Sequence, residues 1–216
     1  MFALARAPRS VGPAQAGLTM IELLIAMAIF AFLLALGVPT MTNWVLQSKA
    51  ASAGEFYGDG FGTARRQAVS RNAVSRIVLT PNVNNGQMDY QIDVCYPTPG
   101  TPCNPQSGAW STPEAPAAND PMGTAGYLSL FNSAGTLPQS DVLVPTIEPD
   151  GANAVYFTPL GWVDASAGTR LSRIRLDPAA RYQGQIPPVA LVVTLAGMAS
   201  KCNPTIAAPD SRACPP

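Results

Sequence analysis

One long apolar segment dominates the first third of the chain. Residues 18–38 form 21 consecutive positions with a single charged side chain, Glu22. At about 1.5 Å per residue, a helix of this length spans roughly 30 Å, the thickness of a bilayer core. A cleaved secretory signal has an apolar region of only about 7–15 residues, followed by a small-residue cleavage site. Neither feature fits, so the pattern predicts a retained membrane-spanning helix over 18–38.

Helical spacing continues beyond this segment to about Arg71. Small and apolar side chains recur there at intervals close to one helical turn, as Met41, Trp44, Val45, Ser48, Ser52, Phe56, Ala64 and Ala68. Pro39 removes a backbone hydrogen bond and predicts a kink, while the glycines in 58–62 are expected to soften the helix. We therefore predict one long helix over 18–72.

The pattern changes to that of strands in residues 73–216. In 88–96, apolar Tyr90, Ile92 and Val94 alternate with polar neighbours, which is typical of a half-buried strand. Seven prolines follow between positions 97 and 121 and predict a loop. Further strand candidates are 74–79, 126–131, 141–147, 154–158, 171–177 and 189–195. The chain is thus predicted to be α+β, with the long helix packed against one antiparallel sheet of six to eight strands.

Composition excludes several classes of function. There is no histidine, which rules out imidazole bases and histidine metal ligands, and the formal net charge is zero. No motif for catalysis, for a cofactor or for a metal is present. Asp89, Asp93 and Asp150 are interpreted as solvated strand and turn residues. Arg170, Arg173 and Arg175 are too few to predict a nucleic-acid surface.

The charges and cysteines indicate an exported head. Arg6 and Arg9 precede the apolar segment, and the positive-inside rule then places the N-terminus in the cytoplasm and residues 73–216 in the periplasm. Four cysteines without a C-x-x-C spacing predict disulfides rather than zinc. They are Cys95, Cys103, Cys202 and Cys214, and they allow three pairings.

The start of the apolar segment carries a recognisable junction, Gly17-Leu18-Thr19-Met20-Ile21-Glu22. It resembles the prepilin processing site of type IV pilins and type II secretion pseudopilins. The resemblance implies that a prepilin peptidase of the inner membrane removes residues 1–17 as a leader by cutting after Gly17. The enzyme then methylates the new amine of Leu18. Pro39 matches the proline that usually ends the apolar block of this family.

The same resemblance gives roles to Glu22 and to the cysteines. In that family, the glutamate pairs with the free amine of a neighbouring subunit during fibre assembly. Simple placement of Glu22 at the membrane interface is the alternative, because a carboxylate near lipid is costly unless it is paired or wetted. Pilin heads often end in a disulfide loop, which favours Cys95–Cys103 with Cys202–Cys214 over crossed pairing.

Three later segments resemble the GspH/FimT class of minor pilins: 64–72, 155–163 and 192–197. Arg65, Arg66 and Arg71 in the first segment suit either a solvated helix face or packing against the head. Some FimT-type members bind DNA through a glycine followed by arginines. Residues 197–201 occupy that place here without an arginine, so nucleic acid is not an expected partner.

These features favour a structural subunit, a minor pilin or pseudopilin of a type II secretion system or type IV pilus. Its expected partners are the prepilin peptidase, other subunits and, before assembly, inner-membrane lipid. Three alternatives stay open. The head could capture DNA or a secretion substrate, the chain could be a major pilin, or it could be a membrane-anchored exported enzyme.

Overall fold

A computed structural model describes residues 17–106 and 108–215, without the side chains of Pro39 and Thr40. The predicted leader therefore falls almost entirely outside the described residues. The chain divides into two compact units, one up to Thr42 and one from Asn43 onward. A single helix, α1 (Met20–Arg71), runs through the boundary between them.

The first unit holds the apolar part of α1. Every side chain from position 17 to position 38 is exposed, including large leucine, isoleucine and phenylalanine side chains. Within the described residues, α1 is the one helix that is long and apolar enough to cross a membrane. An apolar surface this continuous is suited to lipid or to a protein partner rather than to water.

In the part of the chain that the structure describes, the second unit combines the rest of α1 with eight strands. These are β1 (Val74–Pro81), β2 (Met88–Cys95), β3 (Leu130–Asn132), β4 (Leu143–Glu148), β5 (Ala154–Phe157), β6 (Arg173–Pro178), β7 (Val189–Val193) and β8 (Ala199–Cys202). All pairings are antiparallel. The α+β prediction of a long helix packed against antiparallel strands is confirmed.

The strands form two sheets, so the prediction of one sheet is wrong. Their orders are β3-β2-β1-β5 and β4-β6-β7-β8. The chain changes sheets between β3 and β4, returns to the first sheet at β5, and goes back to the second at β6. Periodicity identifies a strand and its buried face, but it carries no information about which strand pairs with which.

One face of α1 fills the space over both sheets. Its buried residues recur at helical spacing as Ala50, Ala53, Tyr57, Phe61, Ala64 and Ala68. The glycines expected to soften the helix allow close contact instead. A Cβ on Gly60 would lie 3.0 Å from Ile77 Cδ1, and one on Gly58 would lie 3.3 Å from Leu191 Cδ2. Gly60 thus faces the first sheet and Gly58 the second, and α1 continues through both positions.

The proline-rich loop covers the outer face of β2. The Val94 N–H donates to Ser111 Oγ, and the Ser111 N–H donates to the Val94 carbonyl, both at 2.8 Å. Asp93 lies beneath this loop with its side chain only 1% exposed. It accepts hydrogen bonds from Arg76, Gln91 and Ser129 at 2.8, 2.7 and 2.6 Å. The interpretation of Asp93 as solvated is therefore wrong, because the loop covers the face that strand alternation left to solvent.

Candidate processing and assembly site

The predicted scissile bond lies just before the first turn of α1. Gly17, Leu18 and Thr19 precede the helix, and all three are exposed. A peptidase needs an accessible backbone, and a bond within a hydrogen-bonded helix would have to unwind first. Gly17–Leu18 needs no such unwinding. Cleavage there would leave the Leu18 amine directly before Thr19.

Thr19 and Glu22 cap the N-terminus of α1 through hydrogen bonds with each other. The Glu22 N–H donates to Thr19 Oγ1 at 3.3 Å, and the Thr19 N–H donates to Glu22 Oε2 at 3.0 Å. The Thr19 hydroxyl also donates to Glu22 Oε2, at 2.9 Å. This reciprocal arrangement is a capping box, which satisfies backbone donors that have no partner within the helix.

The capping box is a feature that the sequence reasoning missed. Its signal was present, because a threonine followed three residues later by a glutamate, ahead of an apolar run, is the sequence signature of a helix N-terminus. It gives Glu22 a partner within its own chain. The carboxylate is nevertheless exposed and has no basic partner among the described residues, so its charge is not neutralised there.

Pro39 lies within the backbone of α1, which continues through that position. Its side chain lies outside the described set, and the kink there stays a prediction. The processing and assembly roles of Gly17, Leu18 and Glu22 likewise stay predictions that rest on their chemistry and position.

The four cysteines form two disulfides with sequential pairing. Cys95 at the end of β2 joins Cys103 in the proline-rich loop, and Cys202 at the end of β8 joins Cys214 in the C-terminal tail. No cysteine of the described residues is free. The bonds tie down two segments that have little regular structure of their own.

The structure brings together the three segments that resemble GspH/FimT proteins. Arg65 Nε donates to the Gly161 carbonyl at 3.0 Å, and Arg65 Nη1 lies 3.5 Å from Met198 Sδ. The Val163 N–H donates to the Leu195 carbonyl at 2.9 Å. The end of α1 is thereby joined to the turns that follow β5 and β7.

Each of the three arginines near the end of α1 has its own environment. Arg65 packs against the head through the contacts above. Arg71 lies over the ring of Tyr127, with its guanidinium carbon 4.7 Å from the ring centroid. Arg66 is exposed and donates to Thr63 Oγ1 at 2.7 Å. Packing against the head thus holds for Arg65 and Arg71, and the solvated face for Arg66.

The arginines of β6 face acidic side chains. Arg173 and Arg175 lie 3.2 and 3.8 Å from Glu148, and Arg175 lies 3.1 Å from Asp177. These pairs cancel much of the positive charge on this face of the second sheet. The described residues contain no group of three or more side chains suited to hold a metal ion.

One comparison with known proteins finds a match. Residues 12–38 match the family model of the prokaryotic N-terminal methylation motif. The motif indicates a type IV pilin-like protein. It contains Gly17, Leu18 and Glu22, and it implies processing by a prepilin peptidase, assembly with other pilins and, with the apolar helix, a membrane anchor. The pilin-like family is structural rather than enzymatic. No curated protein and no solved structure matches the chain.

Proposed function

We propose that this pilin-like chain is a minor pilin or pseudopilin of the GspH/FimT class. It would serve as a structural subunit of a type II secretion pseudopilus or a type IV pilus. The observation that carries the proposal is the exposed Gly17–Leu18 bond, directly followed by a capped apolar helix, within a methylation motif. The resemblance of 64–72, 155–163 and 192–197 to that class is the basis for the assignment to it.

The proposed organisation follows from the same features. Residues 1–17 are the leader, 18–72 the assembly helix, with 18–38 in the inner membrane before assembly, and 73–216 the periplasmic head. The N-terminus lies in the cytoplasm, where the prepilin peptidase cuts after Gly17 and methylates Leu18. Neighbouring subunits then replace lipid around the helix during assembly. Nucleic acid is not a proposed partner of the head.

Glu22 has the central role in this proposal. A carboxylate that faces lipid is stabilised by a cation, and cleavage creates one, the Leu18 amine of a neighbouring subunit. Pairing of the two charges would set the axial position of each new subunit. The capping box holds the carboxylate at the end of the helix until that amine arrives.

The test is a Glu22→Ala variant of the full chain expressed in its own cells. Mass spectrometry of the N-terminus is expected to find cleavage after Gly17 unchanged, while immunoblots of sheared fibres show incorporation lowered by about tenfold or more. Asp59→Ala is the matched control, because Asp59 is an exposed acid on the same helix. Normal incorporation of Glu22→Ala would exclude the assembly role of Glu22. A wild-type chain that is never cut after Gly17 would exclude the function itself.

A further inference from the structure

Met198 is an exposed methionine whose sulfur lies against a cation. It precedes β8, and its side chain is open to solvent, with the residue 55% exposed. Arg65 Nη1 lies 3.5 Å from Met198 Sδ, close enough to donate a hydrogen bond to the sulfur. A thioether sulfur is only a weak acceptor. A stronger acceptor at the same position would therefore bind the guanidinium more tightly.

The guanidinium of Arg65 is held in place independently of Met198. Its Nε donates to the Gly161 carbonyl at 3.0 Å. A Cβ on Gly197 would lie 3.2 Å from the same Nε and would collide with the Gly161 carbonyl oxygen, so the two turns approach Arg65 through glycine backbones. Arg65 has no acidic partner among the described residues. Its charge is therefore available to a new acceptor beside Nη1.

The backbone of Met198 is fixed as well. The Thr194 N–H donates to the Met198 carbonyl at 3.0 Å, and the Met198 N–H donates to Thr194 Oγ1 at 3.3 Å. The turn between them contains Gly197, whose φ of 75° favours glycine. Both sides of the contact between Arg65 and Met198 are thus positioned by hydrogen bonds other than their own, and a group added to the sulfur would form next to Nη1.

We propose that Met198 is a site of oxidation by peroxides and that Arg65 binds the oxygen of the resulting methionine sulfoxide. One oxygen atom of hydrogen peroxide is transferred to Met198 Sδ. The S–O bond forms as the O–O bond breaks, the thioether is oxidised by two electrons, and the peroxide is reduced to water. The product is a polar side chain in place of an apolar one.

Oxidation of Met198 should strengthen the connection between α1 and the head. A sulfoxide disrupts an apolar core, but Met198 is exposed and lies outside the buried core. Its oxygen would accept a charge-assisted hydrogen bond from Arg65, and such bonds are about twice as strong as those between neutral groups. Arg65 would then be bound firmly to the turn after β7 as well as to the turn after β5.

The test treats the full chain in detergent with dilute hydrogen peroxide. Mass spectrometry of its peptides follows oxidation at Met198, with Met122, which is 63% exposed, as the reference. Met198 is expected to be oxidised at a rate within about threefold of Met122, since both are exposed. The urea midpoint of unfolding should then rise by about 0.3 M or more. A Met198 that stays reduced while Met122 is oxidised would overturn the proposal.

Two leucine variants assign the shift to one methionine. Leucine keeps the size and apolar character of methionine but cannot be oxidised. Met198→Leu is expected to lose the rise in midpoint on peroxide treatment, whereas Met122→Leu, the matched control, keeps it. A midpoint that falls or stays unchanged in the wild type, or a rise that survives in Met198→Leu, would overturn the proposal.

An Arg65→Leu variant tests the partner of the sulfoxide. Each variant is compared with its own untreated form, so a lower starting stability of Arg65→Leu does not affect the result. The rise in midpoint should disappear in Arg65→Leu while Met198 is still oxidised, and a rise that persists would exclude Arg65 as the partner. Neither fibre assembly nor another protein enters these measurements, so their outcome is independent of the proposed function.

Discussion

The hydroxyl of Thr19 holds the Glu22 carboxylate at the first turn of α1. Thr19→Val keeps the shape of the side chain but removes the group that both accepts from the Glu22 N–H and donates to its carboxylate. Loss of such a cap costs about 1 kcal/mol. We expect Thr19→Val to lower incorporation into sheared fibres about fivefold, less than Glu22→Ala does, while Thr19→Ser, which keeps the hydroxyl, assembles normally. Equal incorporation of the valine and serine variants would contradict a role for this hydrogen bond.

One buried tyrosine, Tyr57, and one half-buried tyrosine, Tyr127, make the stability of the fold sensitive to alkaline pH. Burial raises the pKa of Tyr127 to about 12 and also raises the pKa of Tyr57, whose hydroxyl accepts the Met88 N–H at 3.0 Å. An unfolded chain loses these protons near pH 10. The stabilisation is therefore complete below about pH 10 and is lost as the pH rises toward about 12.

We expect the free energy of unfolding to be flat up to about pH 9.5 and to fall above pH 10. Urea unfolding of the full chain in detergent, followed at several pH values, measures this slope. Tyr127→Phe is expected to flatten it, and Tyr182→Phe, whose hydroxyl makes no hydrogen bond with the described residues, is the control. A slope that Tyr127→Phe leaves unchanged would show that Tyr127 does not contribute to it.

At the scale of elements, the sequence was most informative where one periodicity held over many residues. The alternation of Tyr90, Ile92 and Val94 identified β2, and helical spacing carried α1 to Arg71. The strand β8 was not predicted, because Ala199–Cys202 is too short and too polar to show a period. The division into two sheets escaped prediction as well, since strand pairing is decided by long-range contacts.

For the candidate processing and assembly site as well, local sequence patterns could be interpreted and long-range contacts could not. The order of Gly17, Leu18 and Glu22 is local, and the junction could be identified from it directly. The capping box is also local in sequence, but it was overlooked because Glu22 was interpreted only as a partner of a neighbouring amine or as a residue at the membrane interface. The contacts at the end of α1 could not be predicted, because Arg65 meets Gly161 and Met198 from two distant segments.

The disulfide between Cys202 and Cys214 closes the C-terminal loop and is expected to stabilise the fold. The cysteines lie 12 residues apart, and the loss of loop-closure entropy predicts a stabilisation of about 3 kcal/mol. We expect the double variant Cys202→Ser and Cys214→Ser to unfold in urea with a free energy lower by about that amount. The hydrogen bond that Arg173 donates to the Pro215 carbonyl should be lost as the C-terminal tail detaches. An unchanged midpoint would mean that the other contacts of the tail hold it without the disulfide.

At the scale of the whole molecule, the membrane helix and the oxidised head depend on each other. Structural disulfides such as Cys95–Cys103 and Cys202–Cys214 persist in oxidising compartments and are rare in the reducing cytoplasm. The head reaches an oxidising compartment only if the apolar part of α1 inserts with the N-terminus inside. The redox state of the head is therefore a direct readout of the topology proposed for the anchor.

Ile29 lies near the middle of the apolar segment and is exposed on α1. An arginine at the centre of a membrane helix costs about 2.5–3.5 kcal/mol on insertion scales. We expect Ile29→Arg to shift much of the chain from the membrane fraction to forms with reduced cysteines, measured by thiol alkylation and non-reducing gels. Ile29→Val, which keeps the segment apolar, should stay inserted and oxidised. Wild-type chains that are firmly inserted yet fully reduced would place the head in the cytoplasm and contradict the topology, whereas oxidised Ile29→Arg heads would show that export does not depend on the apolar centre of α1.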